Sequence, residues 1–215
     1  MPLNTSQRGF SLTELAVVMI ILSLLVGGLI FPLAAQRGVQ QLRQAETGLA
    51  EIREALLGFA AIHGHLPCPD TDTDPATAGY GEAESTCNAP AQEGFLPFKS
   101  LGLQEKDPWE QRWRYRVDRN FAASTSPITL ATHFGSDSLL VKNAAGDPLT
   151  TTLERPIAIF YSFGPNQRAD GGNASFAATN AIYQANPPSN DFDDLLHWLA
   201  RPTLISRLIA SGRLL

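Results

Sequence analysis

Residues 8–15, Arg8-Gly9-Phe10-Ser11-Leu12-Thr13-Glu14-Leu15, continued by AVVMIILSLLVGGLIFPL at residues 16–33, decide how the rest of the chain is read. From Leu15 to Leu33 the only plainly polar side chain is Ser23, and three helix-loosening residues, Gly27, Gly28 and Pro32, come near the end. As a helix rising ~1.5 Å per residue this run spans ~28 Å, about the hydrocarbon thickness of a bilayer. Glu14 sits at its lip, and an acid carried into a membrane costs roughly 2.5–3.5 kcal/mol near the centre. Such an acid needs a partner, and the run offers no cation. A cleaved secretory signal would also begin with a polar segment and an apolar core. This core is longer than the usual ~7–15 residues, however, and Ala34-Ala35-Gln36 is a poor cleavage site. An ordinary single-span anchor gives Glu14 no reason to be there.

Gly9-Phe10-Ser11-Leu12-Thr13-Glu14, with Arg8 before it and the apolar run after it, resembles the processing site of type IV prepilins and type II secretion pseudopilins. The resemblance implies cleavage after Gly9 by a prepilin peptidase and methylation of the new amino terminus at Phe10. It also implies that Glu14 meets the amino terminus of a neighbouring subunit, which supplies the missing cation. A buried charge is tolerable only when matched, and removing one partner costs ~3–5 kcal/mol. The implied fold class is α+β: a long N-terminal helix, membrane-spanning in its first half, then an antiparallel β-sheet head. The expected divisions are residues 1–9 as leader, 10–33 as membrane and assembly helix, 34–64 as its amphipathic continuation and 65–215 as a periplasmic head. The implied partners are other pilins or pseudopilins, the peptidase, an inner-membrane assembly platform and the membrane itself.

Beyond Pro32 the helical pattern persists. Val39, Leu42, Ala45, Leu49, Ile52, Leu56, Phe59 and Ile62 recur at three- and four-residue steps, with charged residues mostly between them. His63-Gly64 is a plausible stop, because glycine is favoured just past a helix end. A helix from Ser11 to His63 is expected, with two helices hinged at Pro32 as the alternative.

The formal charge is −5, one unit more negative once Arg8 leaves with the leader. That balance argues against a general nucleic-acid binder, which would show a basic face. The only two cysteines, Cys68 and Cys87, lie in a loop-rich stretch and suit one disulfide in an exported domain. Asp70, Asp72 and Asp74 alternate as in the first half of a calcium loop. Pro75 stands where an EF-hand needs glycine, so a solvated acidic loop is expected instead.

Asp107-Pro108-Trp109-Glu110 resembles the turn leading into the first strand of pseudopilin heads, with Glu110 where glycine is usual. Arg112, Arg114 and Arg116 then alternate with Trp113, Tyr115 and Val117, a period-two strand with one basic face. That face reads either as a DNA-capture surface, which would make the head a filament-tip binding module, or as a solvated outer face. Acidity favours the second. Further strands are expected at residues 128–134, 138–142, 156–163 and 195–199. The all-apolar run Ile157–Tyr161 should lie mid-sheet, and a short helix should follow Pro202.

Residues 162–194 resemble the calcium loop of major pseudopilins. The resemblance implies Asp170, Asn173, Asp191, Asp193 and Asp194 as hard oxygen ligands for a structural calcium, the one cofactor suggested. No nucleophile elbow, zincin helix or phosphate loop occurs, so a structural subunit rather than an enzyme is expected.

Overall fold

The computed structural model describes residues 9, 11–87, 93–122, 126–135, 138–175 and 181–214, with the side chains of 26–35 and 175 outside that description. Most of the expected leader, Phe10, and the side chains completing the apolar run therefore lie outside the described residues. The chain divides into two compact units, Met1–Gln41 and Leu42–Leu215.

Helix α1 is assigned as one element, Leu12–His63. In the first unit its apolar side chains, Leu15, Val17, Val18, Ile20, Leu22 and Leu24 among them, are exposed on every side. A helix apolar all round needs other apolar matter against it. Ser23 is satisfied within the helix, its Oγ donating to the Met19 carbonyl at 2.7 Å. Among the described residues, no helix is long and apolar enough to cross a membrane.

In the larger unit, α1 buries Ala45, Leu49, Ile52, Leu56, Leu57 and Ala60, the i, i+3/i+4 stripe of an amphipathic helix. It ends as its sequence suggests: Gly64 takes φ +82° and donates to the Ala60 carbonyl at 2.8 Å. Arg213 reaches back to the last free carbonyls, its Nε donating to Ala61 O at 3.1 Å and its Nη2 to Ile62 O.

The stripe packs on a four-stranded antiparallel sheet. In chain order its strands are β1 (Gly94–Phe95), β2 (Arg114–Val117), β4 (Pro156–Ser162) and β6 (Leu195–Ala200), and they lie side by side in that order. A short helix, α2 (Phe98–Leu101), leads from β1 toward β2. Between β2 and β6 the chain also forms β3 (Leu140–Lys142) and β5 (Ile182–Gln184). Every residue of β4 is buried, as a strand covered on both faces requires. On one face Tyr115, Val117, Ala158, Phe160 and Leu199 meet α1, together with Leu204 and Leu208 of α3 (Arg201–Ala210). Gly48 lets the helix come close, since a Cβ there would stand 2.8 Å from the Trp113 ring. On the other face Ile159, Tyr161 and Leu196 meet Val141 of β3 and Tyr183 of β5. β3 and β5 pair in parallel, so the head is not wholly antiparallel.

The strand expected at residues 128–134 is instead a turn. Thr132 N donates to Thr129 O at 3.1 Å and Thr129 N to Thr132 Oγ1 at 2.8 Å. Arg201 then holds the turn by donating to the carbonyls of Leu130 and Thr132, at 2.6 and 3.2 Å. Local threonine bonds of this kind compete directly with a strand ladder.

Candidate functional site

Three regions of the described chain carry chemistry. The first is the loop cluster formed by the β4–β5 connection and the residues just before β6. Asp170, Asp193 and Asp194 each bring a carboxylate oxygen within 4.8 Å of the others. Asn166 holds the first two together: its backbone N–H donates to Asp193 Oδ2 at 3.0 Å, and its Nδ2 reaches both oxygens of Asp170 at 3.0 Å. Asp193 N in turn donates to Asp170 Oδ2 at 2.8 Å. Asp194 Oδ2 accepts from Asp170 N at 3.0 Å and from Asn173 Nδ2 at 2.8 Å.

The remaining oxygens, Asp193 Oδ1 and Asp194 Oδ1, are buried and accept nothing from the described residues. Asp194 as a whole is 2% exposed. Burial, reinforced by the neighbouring charges of Asp170 and Asp193, pushes the Asp194 carboxyl up to about 7. The Asp193 carboxyl is raised too, first by burial and then by the Asp170 charge. Converging carboxylates with unused buried oxygens, and no facing cation among the described residues, are what a hard divalent ion requires. Asn173 and Asp191 do not join them. The Asn173 amide is consumed by β5, its Oδ1 accepting from Gln184 N at 2.8 Å and its Nδ2 donating to Gln184 O at 3.0 Å. Asp191 is exposed and outside the cluster.

The second region is the acidic loop. Asp70, Asp72 and Glu84 also converge within 4.8 Å. Here a guanidinium meets one of the three carboxylates: Arg112 Nη2 pairs with Asp70 Oδ2, and its Nη1 donates to the Asp72 backbone carbonyl at 2.7 Å. The same guanidinium lies between the Phe95 and Tyr80 rings, 3.9 and 4.3 Å from their centroids. Asp70 is fully buried, an exception to the expected solvated loop, whose residues 73–79 are exposed. The expected disulfide, Cys68–Cys87, closes that loop.

The basic strand face is likewise neither solvated nor open to a nucleic acid. Arg114 pairs with Glu93 at 2.7 Å, and Arg116 is fully buried, with Nη1 3.4 Å from the Tyr183 hydroxyl. Glu93 also accepts from Tyr161 and Tyr183 at 3.0 and 2.6 Å, which ties the residue before β1 to β4 and β5. The three guanidiniums on which a DNA-capture reading stood are thus turned inward. Glu110 takes φ +66°, the backbone conformation that a glycine at this turn adopts freely.

The third region is the beginning of α1. Ser11 is the residue before the helix, and its Oγ accepts from Glu14 N at 3.2 Å. Glu14 reaches back, its Oε2 accepting from Ser11 N at 3.1 Å and from Ser11 Oγ at 3.3 Å. This is a capping box, with serine at the cap and glutamate three residues on. The spacing Ser11-Leu12-Thr13-Glu14 carries that signal in the sequence. Glu14 therefore has local hydrogen bonds but no cation among the described residues. The family model for the prokaryotic N-terminal methylation motif matches residues 4–30.

The chain carries the prepilin signature.

That signature belongs to type IV pilins and pseudopilins, and it supports a pilin-like or pseudopilin subunit rather than an enzyme. No curated protein and no solved structure matches the chain. The prepilin motif covers Gly9, Phe10 and Glu14. Gly9 is exposed, and Phe10 lies outside the described residues.

Proposed function

We propose that this chain is a minor pilin or pseudopilin, a structural subunit of a type IV pilus-like or type II secretion filament. A prepilin peptidase cuts after Gly9, the Phe10 amine is methylated, and residues 10–33 hold the subunit in the inner membrane with its head in the periplasm. Assembly then brings Glu14 to the Phe10 amine of a neighbouring pilin, and the apolar surface of α1 is buried against other such helices. The single observation that supports this reading is the methylation motif at residues 4–30. The capping box is compatible with it, because both Ser11 contacts use Oε2.

The test follows from that cap. Glutamine also completes a capping box, so Glu14→Gln keeps the helix start and removes only the charge. Cross-linking in the native host should then recover at least roughly ten-fold less pilin partner, since leaving one member of a desolvated pair alone costs ~3–5 kcal/mol. Ser11→Ala removes the cap and keeps the charge, and it should leave the recovery close to wild type. Equal losses in the two variants would make Glu14 a capping residue only.

With this goes a structural calcium held by Asp170, Asp193 and Asp194. The two orphaned buried oxygens are what favour it. When bound, the ion neutralises three converging carboxylates and fixes the loop. Asn166 and Asn173 hold the carboxylates in place for it.

A further inference from the structure

The acidic cluster is joined to a second loop, the Asp107–Gln111 turn that leads into β2, by two separate bridges. The first is buried. Gly164, at φ +69°, packs so closely on Asp193 that a Cβ there would overlap the Asp193 carbonyl. Gly164 N donates to Ser162 Oγ at 3.0 Å, and that hydroxyl donates to Asp107 Oδ2. The other oxygen of Asp107 accepts from Trp109 N and Gln111 N, both at 2.9 Å, which is what shapes the turn. Asp107 and Ser162 are 4% and 1% exposed, so this bridge is screened from water.

The second bridge runs over the surface. Asn166 clamps Asp170 and Asp193, and the next residue, Gln167, takes φ +60° and turns toward the other loop. Its Nε2 donates to Trp109 O at 3.3 Å, while its Oε1 accepts from Gln111 Nε2 at 3.3 Å. Trp109 itself packs in the core that α1 enters.

We propose that a divalent cation at Asp170, Asp193 and Asp194 orders the Asp107–Gln111 turn through these two bridges, so that the site fixes the seating of Trp109 as well as its own loop. The physical reason is local. Without a cation nothing among the described residues faces the two unused buried oxygens of the cluster, and Asn166 and Gly164, which are bonded to or packed on these residues, are held less firmly. With one, the loop conformation that makes both bridges is the conformation that binds, and occupancy shifts the population toward it. The inference rests on the calcium reading above.

Hydrogen exchange by mass spectrometry on the full-length chain in detergent, with calcium chloride or with chelator, tests it. Calcium should slow exchange at residues 164–175 and 190–195 and also, by roughly five-fold or more, at residues 107–112. The double variant Ser162→Ala, Gln167→Ala should keep the slowing at 190–195 and lose it at 107–112, with Gln167→Ala alone falling between. Should the double variant not fold, Gln167→Ala decides, and full slowing at 107–112 in it would overturn the proposal. Slowing confined to 164–175 and 190–195 in wild type would overturn the coupling and leave the calcium site standing. No slowing anywhere would overturn both.

Discussion

Asp70, Asp72 and Glu84 lie within the same 4.8 Å reach of one another as Asp170, Asp193 and Asp194. In the first triplet the buried member, Asp70, is paired with a cation. Arg112 places a guanidinium between two aromatic rings and against Asp70, and the buried oxygens of Asp70 are used by it and by the N–H groups of Asp72 and Gly81. The second triplet has amide donors on some of its oxygens and leaves two buried ones unused. Acid counts therefore do not distinguish a metal site from a salt-bridged loop. The distinction lies in whether the fold brings a positive side chain to the same place.

The largest test removes the built-in cation. Arg112→Ala leaves Asp70 as an uncompensated buried charge, and thermal or urea unfolding should show a loss of about 3–5 kcal/mol. A loss under about 1 kcal/mol, the worth of an exposed pair, would mean that the first triplet is solvated after all. The second triplet should respond to an added cation instead. At calcium a hundred-fold above its dissociation constant, unfolding should be harder by about 2.7 kcal/mol, and Asp194→Asn should abolish that gain. A calcium gain that survives Asp194→Asn but disappears in Asp70→Asn would reverse the assignment of the two regions.

The pH dependence is a subtler mark. The folded protein holds the Asp194 proton up to about 7, against an ordinary value of 3.8. This group's contribution to stability is therefore full below about 3.8 and is lost as pH rises through about 7. Without calcium, the stability of wild type relative to Asp194→Asn should fall across that window, and saturating calcium should remove the slope. The smallest effect belongs to Asp72, a half-buried member of the triplet whose Asp70 is paired with Arg112. Asp72→Asn should change stability by less than about 0.5 kcal/mol and leave the calcium response intact.

Much of the framework was legible because it follows from local periodicity. The α1 stripe, its stop at Gly64, the buried strand Pro156–Ser162 and the helix after Ala200 are each written in short-range spacing. The strand through Arg114 and Arg116 was legible too, but its basic face was not. What covers that face is Glu93, Asp70 and Tyr183, residues 21, 42 and 67 positions away from their arginine partners. No local pattern announces such closure. The same limit applies at the acidic cluster. Sequence supplied Asp170, Asp193 and Asp194, but it could not show that Gln184 consumes the Asn173 amide or that Asp191 stays exposed. The clamp at Asn166 and the bridge through Gln167 were missed for the same reason. The capping box was overlooked although Ser11 and Glu14 have its spacing.

The most direct measurement is mass spectrometry of the first peptide of the protein purified from its own host. Prepilin processing predicts that it begins at Phe10 and is heavier by one methyl group. A chain that keeps Gly9 and the residues before it, or one that begins beyond Leu33, would contradict the account.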